Sequence, residues 1–369
     1  MKMNGSELFS KLKTLKHNDR ILLLTNADID GAGCEILLRY TVIPERLTVK
    51  RLREHDMEHA ILNAVCNDAK DYDTIIACNL PCSTNDADII DASGNGSKLI
   101  IFNYHLANCR LNKYPFGVCY HGMVTDSFRV PMFKDSSYEG LSSSTSLMYD
   151  YLHYVNLVDM NRSVDHPFDC RDAVLREIVH LTAAYITRDW INCFEKDPRY
   201  LDFGRLFDIY GYDHYTDIML KKALRCKNEA SLADHRTLRP TADNDHLLDS
   251  IDRLALEIDA NKRKDCLDQI QSRILTGNVK IKDCKYYAAY IDNNNYIDDV
   301  FELMRHLYPY AEMYIMNHGS NISVRWSNNN TENPLANMDS FQIPMSDIFD
   351  MLSKTMNADM TFRKRGETI

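Results

Sequence analysis

The chain has 369 residues, 45% hydrophobic and 26% charged, with a formal net charge of −10. That composition excludes wholesale disorder, collagen-like repeats and low-complexity scaffolds, and the length suits more than one domain. The acidic balance argues against sequence-blind duplex binding, which needs a large positive field, yet leaves room for a small nucleotide in a polar cleft. No run of about 18 apolar residues offers a membrane span. The first residues, Met1 to Ser6, lack the apolar core of a signal peptide, so a cytoplasmic protein is expected. The Asn-, Met- and Tyr-rich composition has a phage-like cast, which would make that a host cytoplasm. Eleven scattered cysteines without a Cys-x-x-Cys pair indicate reduced thiols, neither a disulfide framework nor a zinc site.

Along the chain, Ile21 to Leu24 is an apolar run of strand length that stops at polar residues and Gly31-Ala32-Gly33. The stripe Ile36, Leu37, Leu38 and Tyr40 then reads as a helix. The same strand-then-loop pattern recurs at 74–78 and 98–102, where each run meets an Asn. Continuous apolar strands separated by helices predict a parallel sheet covered on both faces. Ligands of such sheets sit beyond the carboxyl ends of the strands. Here those ends are Asn26 to Asp30, Asn79-Leu80-Pro81 and Asn103-Tyr104-His105.

Helices dominate from about 170 to 275, including 173–184 and 247–258. A second α/β pattern follows: strand 286–291, helix 296–307, strand 311–316, and a turn at Asn317 to Asn321 leading into strand 322–326. The expected organisation is an α/β domain over 1–195, a helical connector over 196–278 and a smaller α/β domain over 279–369.

Asp28-Ile29-Asp30-Gly31 sets two carboxylates at the end of the first strand, where they can converge on a hard cation such as Mg²⁺ or Mn²⁺. The same tetrapeptide also reads as a turn or a helix N-cap. His55 and His59 have helical spacing but sit among Glu54 and Glu58, as on an exposed face. Ser142 to Ser146 starts a helix rather than forming a nucleophile elbow, since no Gly-x-Ser-x-Gly is present. Arg325 beside Trp326 can clamp a phosphate or pair with a neighbouring acid, and Arg363-Lys364-Arg365 reads as a solvated basic end.

Taken in order, these segments resemble the DHH phosphoesterase superfamily. Leu24 to Cys34 is similar to the first motif of its oligoribonuclease and cyclic-nucleotide phosphodiesterase branch, which also borders the RecJ-like single-strand exonucleases. Asn79 falls where a second-motif Asp closes a strand, and Asn103-Tyr104-His105 on the Asp-His-His signature. Ser142 to Tyr149 resembles the helix start that follows, and Ala184 to Trp190 the segment carrying a fourth metal-binding Asp. Ile322 to Ser327 resembles the substrate-facing strand of the accessory domain.

The resemblance implies a parallel-sheet DHH domain, a DHHA1-like C-terminal domain and an Mn²⁺- or Mg²⁺-dependent phosphodiesterase site. The ligand set, however, departs from it. Asn26 stands for His, Asn79 for the bridging Asp, Asn103-Tyr104 for Asp-His, and Ile186 for the fourth Asp, with Asp189 one turn away. Asn carries no charge to hold two dications about 3.5–4 Å apart, and Ile cannot ligate.

The expectation is therefore a pseudoenzyme with no cofactor, which binds a nucleotide or short nucleic acid or acts, with a protein partner, as a subunit of a complex. Asp28, Asp30 and His105 would be the remnant catalytic site, with Asp28 and Asp30 as any metal ligands. Asn26, Asn79, Asn103, Tyr104, Arg325 and Ser327 would face a nucleotide or short single strand. Asn26, Asn79 and Asn103 are expected to converge on both carboxylates. Two alternatives stand beside this: an active phosphodiesterase or exonuclease of altered ligand set using Mn²⁺ or Mg²⁺, and a protein–protein module with a vestigial cleft.

Overall fold

The computed structural model describes residues 9–53, 56–57, 59–104, 106–119, 143–158, 173–187, 199–232, 247–281, 284–317, 322–326 and 362–364. The chain divides into two compact units, Met1–Leu256 and Glu257–Ile369. Among the described residues no helix is long and apolar enough to cross a membrane, and Cys34, Cys66, Cys78, Cys82 and Cys266 are free thiols.

The first unit is built on β1 (Ile21–Asn26), β2 (Leu47–Leu52), β3 (Thr74–Cys78), β4 (Leu99–Asn103) and β5 (Gly117–Cys119), all parallel, in the order β2-β1-β3-β4-β5. Strands 21–25, 74–78 and 98–102 thus lie in one sheet with their carboxyl ends together, as the sequence predicts. Side-chain alternation explains why β1 is apolar throughout. Ile21 and Leu23 enter a core with α1 (Ile29–Thr41), α4 (Ser144–Tyr154), α5 (Ala173–Thr187) and α6 (Arg199–Leu232). Leu22 and Leu24 enter a second core with α2 (Ala60–Asn67) and α3 (Thr84–Ala92) on the opposite face. The chain leaves β1 through α1 towards β2, and leaves β3 through α3 towards β4. The β1/β3 boundary is therefore the point at which the winding reverses, where open parallel sheets place their ligands.

The edge strand β2 is anchored by charge. Glu35 of α1 is buried, and Arg51 forks onto its two carboxylate oxygens, each at 3.1 Å. The same guanidinium bonds Asp213 and lies 4.3 Å from the centre of the Tyr212 ring. Both partners follow Gly211, whose positive φ breaks the helical path of α6. Helix α6 packs on α1 and α5, so the first half of the stretch assigned to a connector belongs to the first unit. Helix α7 (Ser250–Gln271) begins in the first unit and ends in the second.

The second unit holds a mixed sheet, β10-β6-β7-β8-β9, made of β6 (Leu275–Ile281), β7 (Cys284–Asp292), β8 (Met313–Asn317), β9 (Ile322–Trp326) and β10 (Phe362–Lys364). Strands β7 and β8 are parallel and joined through α8 (Ile297–Leu307), while the other pairs are antiparallel. Val300, Phe301 and Met304 of α8 pack on Ala289, Ile291, Tyr314 and Met316 together with Ile270 of α7. The basic end does not run free here: Phe362–Lys364 pairs with Leu275–Gly277 of β6.

Candidate functional site: a carboxylate pair at the winding reversal

Asp28 follows β1 in an extended conformation (φ −115°, ψ −178°) and caps α1, accepting from the Gly31 amide at 2.8 Å through Oδ1. Asp-x-Asp-Gly is thus a helix N-cap, one of its two readings from sequence. The Oδ2 of Asp28 accepts from Asn26 Nδ2 at 2.9 Å and from Asn79 Nδ2 at 3.1 Å. Asn79 directly follows β3 with a φ of 53°, a left-handed conformation that Asn tolerates better than most residues. That twist returns its amide across the β1/β3 boundary. Tyr104 completes this side with a hydrogen bond to Asn79, and burial, followed by the charges of Asp30 and Asp28, pushes its phenol well above the usual range.

Asp30 has a different set of partners. It is completely buried in the first turn of α1, and its carboxylate faces the N-terminus of α4. Oδ2 accepts from the Ser144 amide at 2.9 Å. Oδ1 accepts from the Thr145 amide at 2.9 Å and from Thr145 Oγ1 at 2.8 Å. A helix N-terminus carries unpaired amides and positive potential, so a buried carboxylate there is well compensated. Helix α4 starts with a reciprocal cap between Ser143 and Ser146, as expected of this serine-rich stretch.

Two corrections follow. The three asparagines do not all converge on the carboxylates: Asn26 and Asn79 meet at Asp28, whereas Asn103 Nδ2 donates to the Leu80 carbonyl at 2.9 Å. Asp30 takes its donors from α4, because at zero exposure two backbone amides outcompete side-chain amides held at the strand ends. The two carboxylates still sense each other. Burial, then the charge of Asp30, raises Asp28 to about 6.

Close packing explains the glycines. A Cβ on Gly31 would stand 2.0 Å from the Asn26 carbonyl oxygen, and one on Gly33 would stand 2.4 Å from Thr145 Oγ1. We expect Gly33→Ala to displace that hydroxyl from Asp30 and to lower unfolding stability by about 1–3 kcal/mol, measured by urea titration. An unchanged midpoint would mean that α1 and α4 can separate at no cost.

The remaining predicted residues are dispersed. His105, Ser327 and Asp189 lie outside the described residues, as does His55. Ile186 packs against the first core as an ordinary apolar side chain. Arg325 lies in the second unit with its guanidinium 4.4 Å from the centre of the Phe301 ring. His59 bonds Asp86 at 2.9 Å, linking the start of α2 to α3. Among the described residues no group of three or more His, Cys, Asp and Glu is placed to hold a metal ion.

No protein-family model matches the chain, and no curated protein does. Among solved structures, an uncharacterized protein from Helicobacter pylori G27 aligns at TM-score 0.28 and 15% identity, over 92% of this chain and 99% of that one. A pGpG-specific phosphodiesterase, PggH from Vibrio cholerae, aligns at 0.36 and 14%, over 80% and 77%. RecJ from Thermus thermophilus, in complex with Mn²⁺, aligns at 0.36 and 13%, over 87% of this chain and 46% of that one. None of these likenesses is close enough to carry function across. The parallel sheet carries Asp28, Asn79 and Asn103 at or just beyond the carboxyl ends of β1, β3 and β4.

Proposed function

We propose that this chain is a DHH phosphoesterase-like protein that does not hydrolyse phosphodiesters with two metals, and that binds a nucleotide or short single strand at the carboxyl ends of its first sheet. The observation carrying this reading is that each of the two carboxylates is already held by three protein donors. Asp28 has Gly31, Asn26 and Asn79, and Asp30 has Ser144, Thr145 and the Thr145 hydroxyl.

A dinuclear centre needs carboxylate oxygens free to bridge and complete two coordination shells. Amide nitrogens point at Asp28 where a cation would have to approach, and Asp30 is sealed beneath α4. The donor set therefore does not fit a two-metal cluster. At the β1/β3 boundary stand the half-buried Asp28 carboxylate and Asn26 carboxamide, with the buried Asn79 carboxamide and Tyr104 phenol beside them. Such a set recognises hydroxyls and base edges rather than phosphate, because Asp28 and Asp30 repel anions.

The test is hydrolysis of a diribonucleotide with and without 1 mM Mn²⁺, alongside the melting temperature under both conditions. The expected result is no metal-dependent cleavage and no metal-dependent shift in melting. Cleavage that needs Mn²⁺ and disappears in Asp28→Ala would overturn the reading in favour of an active enzyme of altered ligand set.

A further inference from the structure

On the α2 side of the first sheet lies an open groove of about 290 Å³ that no motif marks. Its floor is apolar: Leu24 of β1, Leu52 of β2, and Ala60 and Ala64 of α2. Its walls are polar, with Asn63 and Asn67 of α2 and Asp56 ahead of that helix. Ala60, Asn63, Ala64 and Asn67 fall at the i, i+3, i+4 and i+7 positions of a single helical stripe. The groove exists because that stripe presents two alanines to the sheet where a core helix would ordinarily present Leu or Val. Lys50 and Asp68 also reach the lining but are bound to each other at 2.6 Å.

We infer that this groove is a subsite for a single uncharged nucleobase, seated on the alanine floor with its edge read by Asn63, Asn67 and Asp56. The inference rests on the nucleotide-binding reading above and gives it a place and a selectivity.

Size comes first. Pockets for drug-sized ligands run from about 300 to 1,000 Å³, so this one has room for a single base or nucleoside. Chemistry comes second. Carboxamides present donor and acceptor side by side, matching the alternating edge of a base, while an apolar floor suits its flat face. Charge comes third. One lysine against two aspartates leaves the lining net negative, and that lysine is paired, so a phosphate is excluded and must point to solvent.

Position supplies the link to the carboxylate site. Leu52 is the register partner of Asn26, whose amide is bonded to Asp28. Leu24 and Asn26, two residues apart on β1, lie on the same face of the sheet. Two lining residues, Leu24 and Leu52, are thus strand neighbours of Asn26, which bonds Asp28.

The experiment titrates the four ribonucleosides, one 5′-monophosphate and one diribonucleotide into the full-length chain by calorimetry. It is repeated on Ala60→Leu, which fills the floor, and on Asn63→Leu, which removes an edge partner but leaves the floor intact. At least one nucleoside is expected to bind wild type, no more weakly than its monophosphate, and to lose tenfold or more in each variant at unchanged melting temperature. Should Ala60→Leu fold poorly, Asn63→Leu decides alone. Equal nucleoside binding by wild type and a folded variant would overturn the groove while leaving nucleotide binding in place. So would a diribonucleotide that binds when no nucleoside does. If no probe binds wild type, both the groove and the broader reading fall.

Discussion

Asp30→Ala should lower the stability of the first unit by about 3–5 kcal/mol, enough to leave a protein of ordinary stability partly unfolded at 37 °C. The side chain is fully buried and accepts from two backbone amides and a hydroxyl of α4. Truncation strands both amides at a site that water cannot reach. It also removes the negative charge at the end of the helix dipole. The Thr145 hydroxyl keeps one bond, to the Asp30 carbonyl at 2.7 Å, so the loss is not total. Asp30→Asn keeps one acceptor but turns an amide donor towards a backbone N–H, and should fall between wild type and alanine. The measurement is chemical denaturation followed by far-UV circular dichroism. If Asp30→Ala lies within about 1 kcal/mol of wild type, the junction between α1 and α4 is not what holds that layer together.

This structural role was only half legible in the sequence. The apolar runs at 21–24, 74–78 and 98–102 identify central strands because a strand covered on both faces must be apolar on both. Strand β2 escaped that reading. It is an edge strand in which Thr48, Lys50 and Arg51 interrupt the apolar residues, so its pattern, Leu47-Thr-Val49-Lys-Arg-Leu52, looks like any charged surface stretch. Strands β5 and β10 have three residues each, too short for periodicity to register.

At the site, local grammar sufficed for Asp28 with its neighbours and for the start of α4. It did not reveal that Asp30 and α4 belong together, because the partners are 114 residues apart and the bonds come from backbone amides, which carry no side-chain signature. The groove beside β2 left no mark for a related reason. It is defined by alanines, and an alanine that opens a space reads in sequence like any other helix former.

Asn79→Asp separates a metal site from a metal-free network more sharply than any deletion. In a two-metal centre a carboxylate at this position would be a gain, and Mn²⁺ would stabilise the variant by mass action. In the network described here it is a loss. The Asn79 amide is 3.1 Å from Asp28 Oδ2, so the substitution exchanges a donor for a third carboxylate against a partner already raised to about 6 by burial and by Asp30. Asp accepts the left-handed backbone at this position nearly as well as Asn, so the effect is one of charge, not of strain.

The sign of the pH dependence follows from linkage. Carboxyls whose folded pKa lies above the unfolded value hold more protons in the native state, so stability falls as pH rises from about 4 through the folded value. Asn79→Asp should therefore nearly match wild type at about pH 4.5, where the carboxyls can share protons. By about pH 8 it should be about 3 kcal/mol less stable, with no rescue by millimolar Mn²⁺ and no gain in diribonucleotide cleavage. A variant whose melting temperature at that higher pH rises with Mn²⁺ would mean that the asparagines stand in for ligands the site can still use.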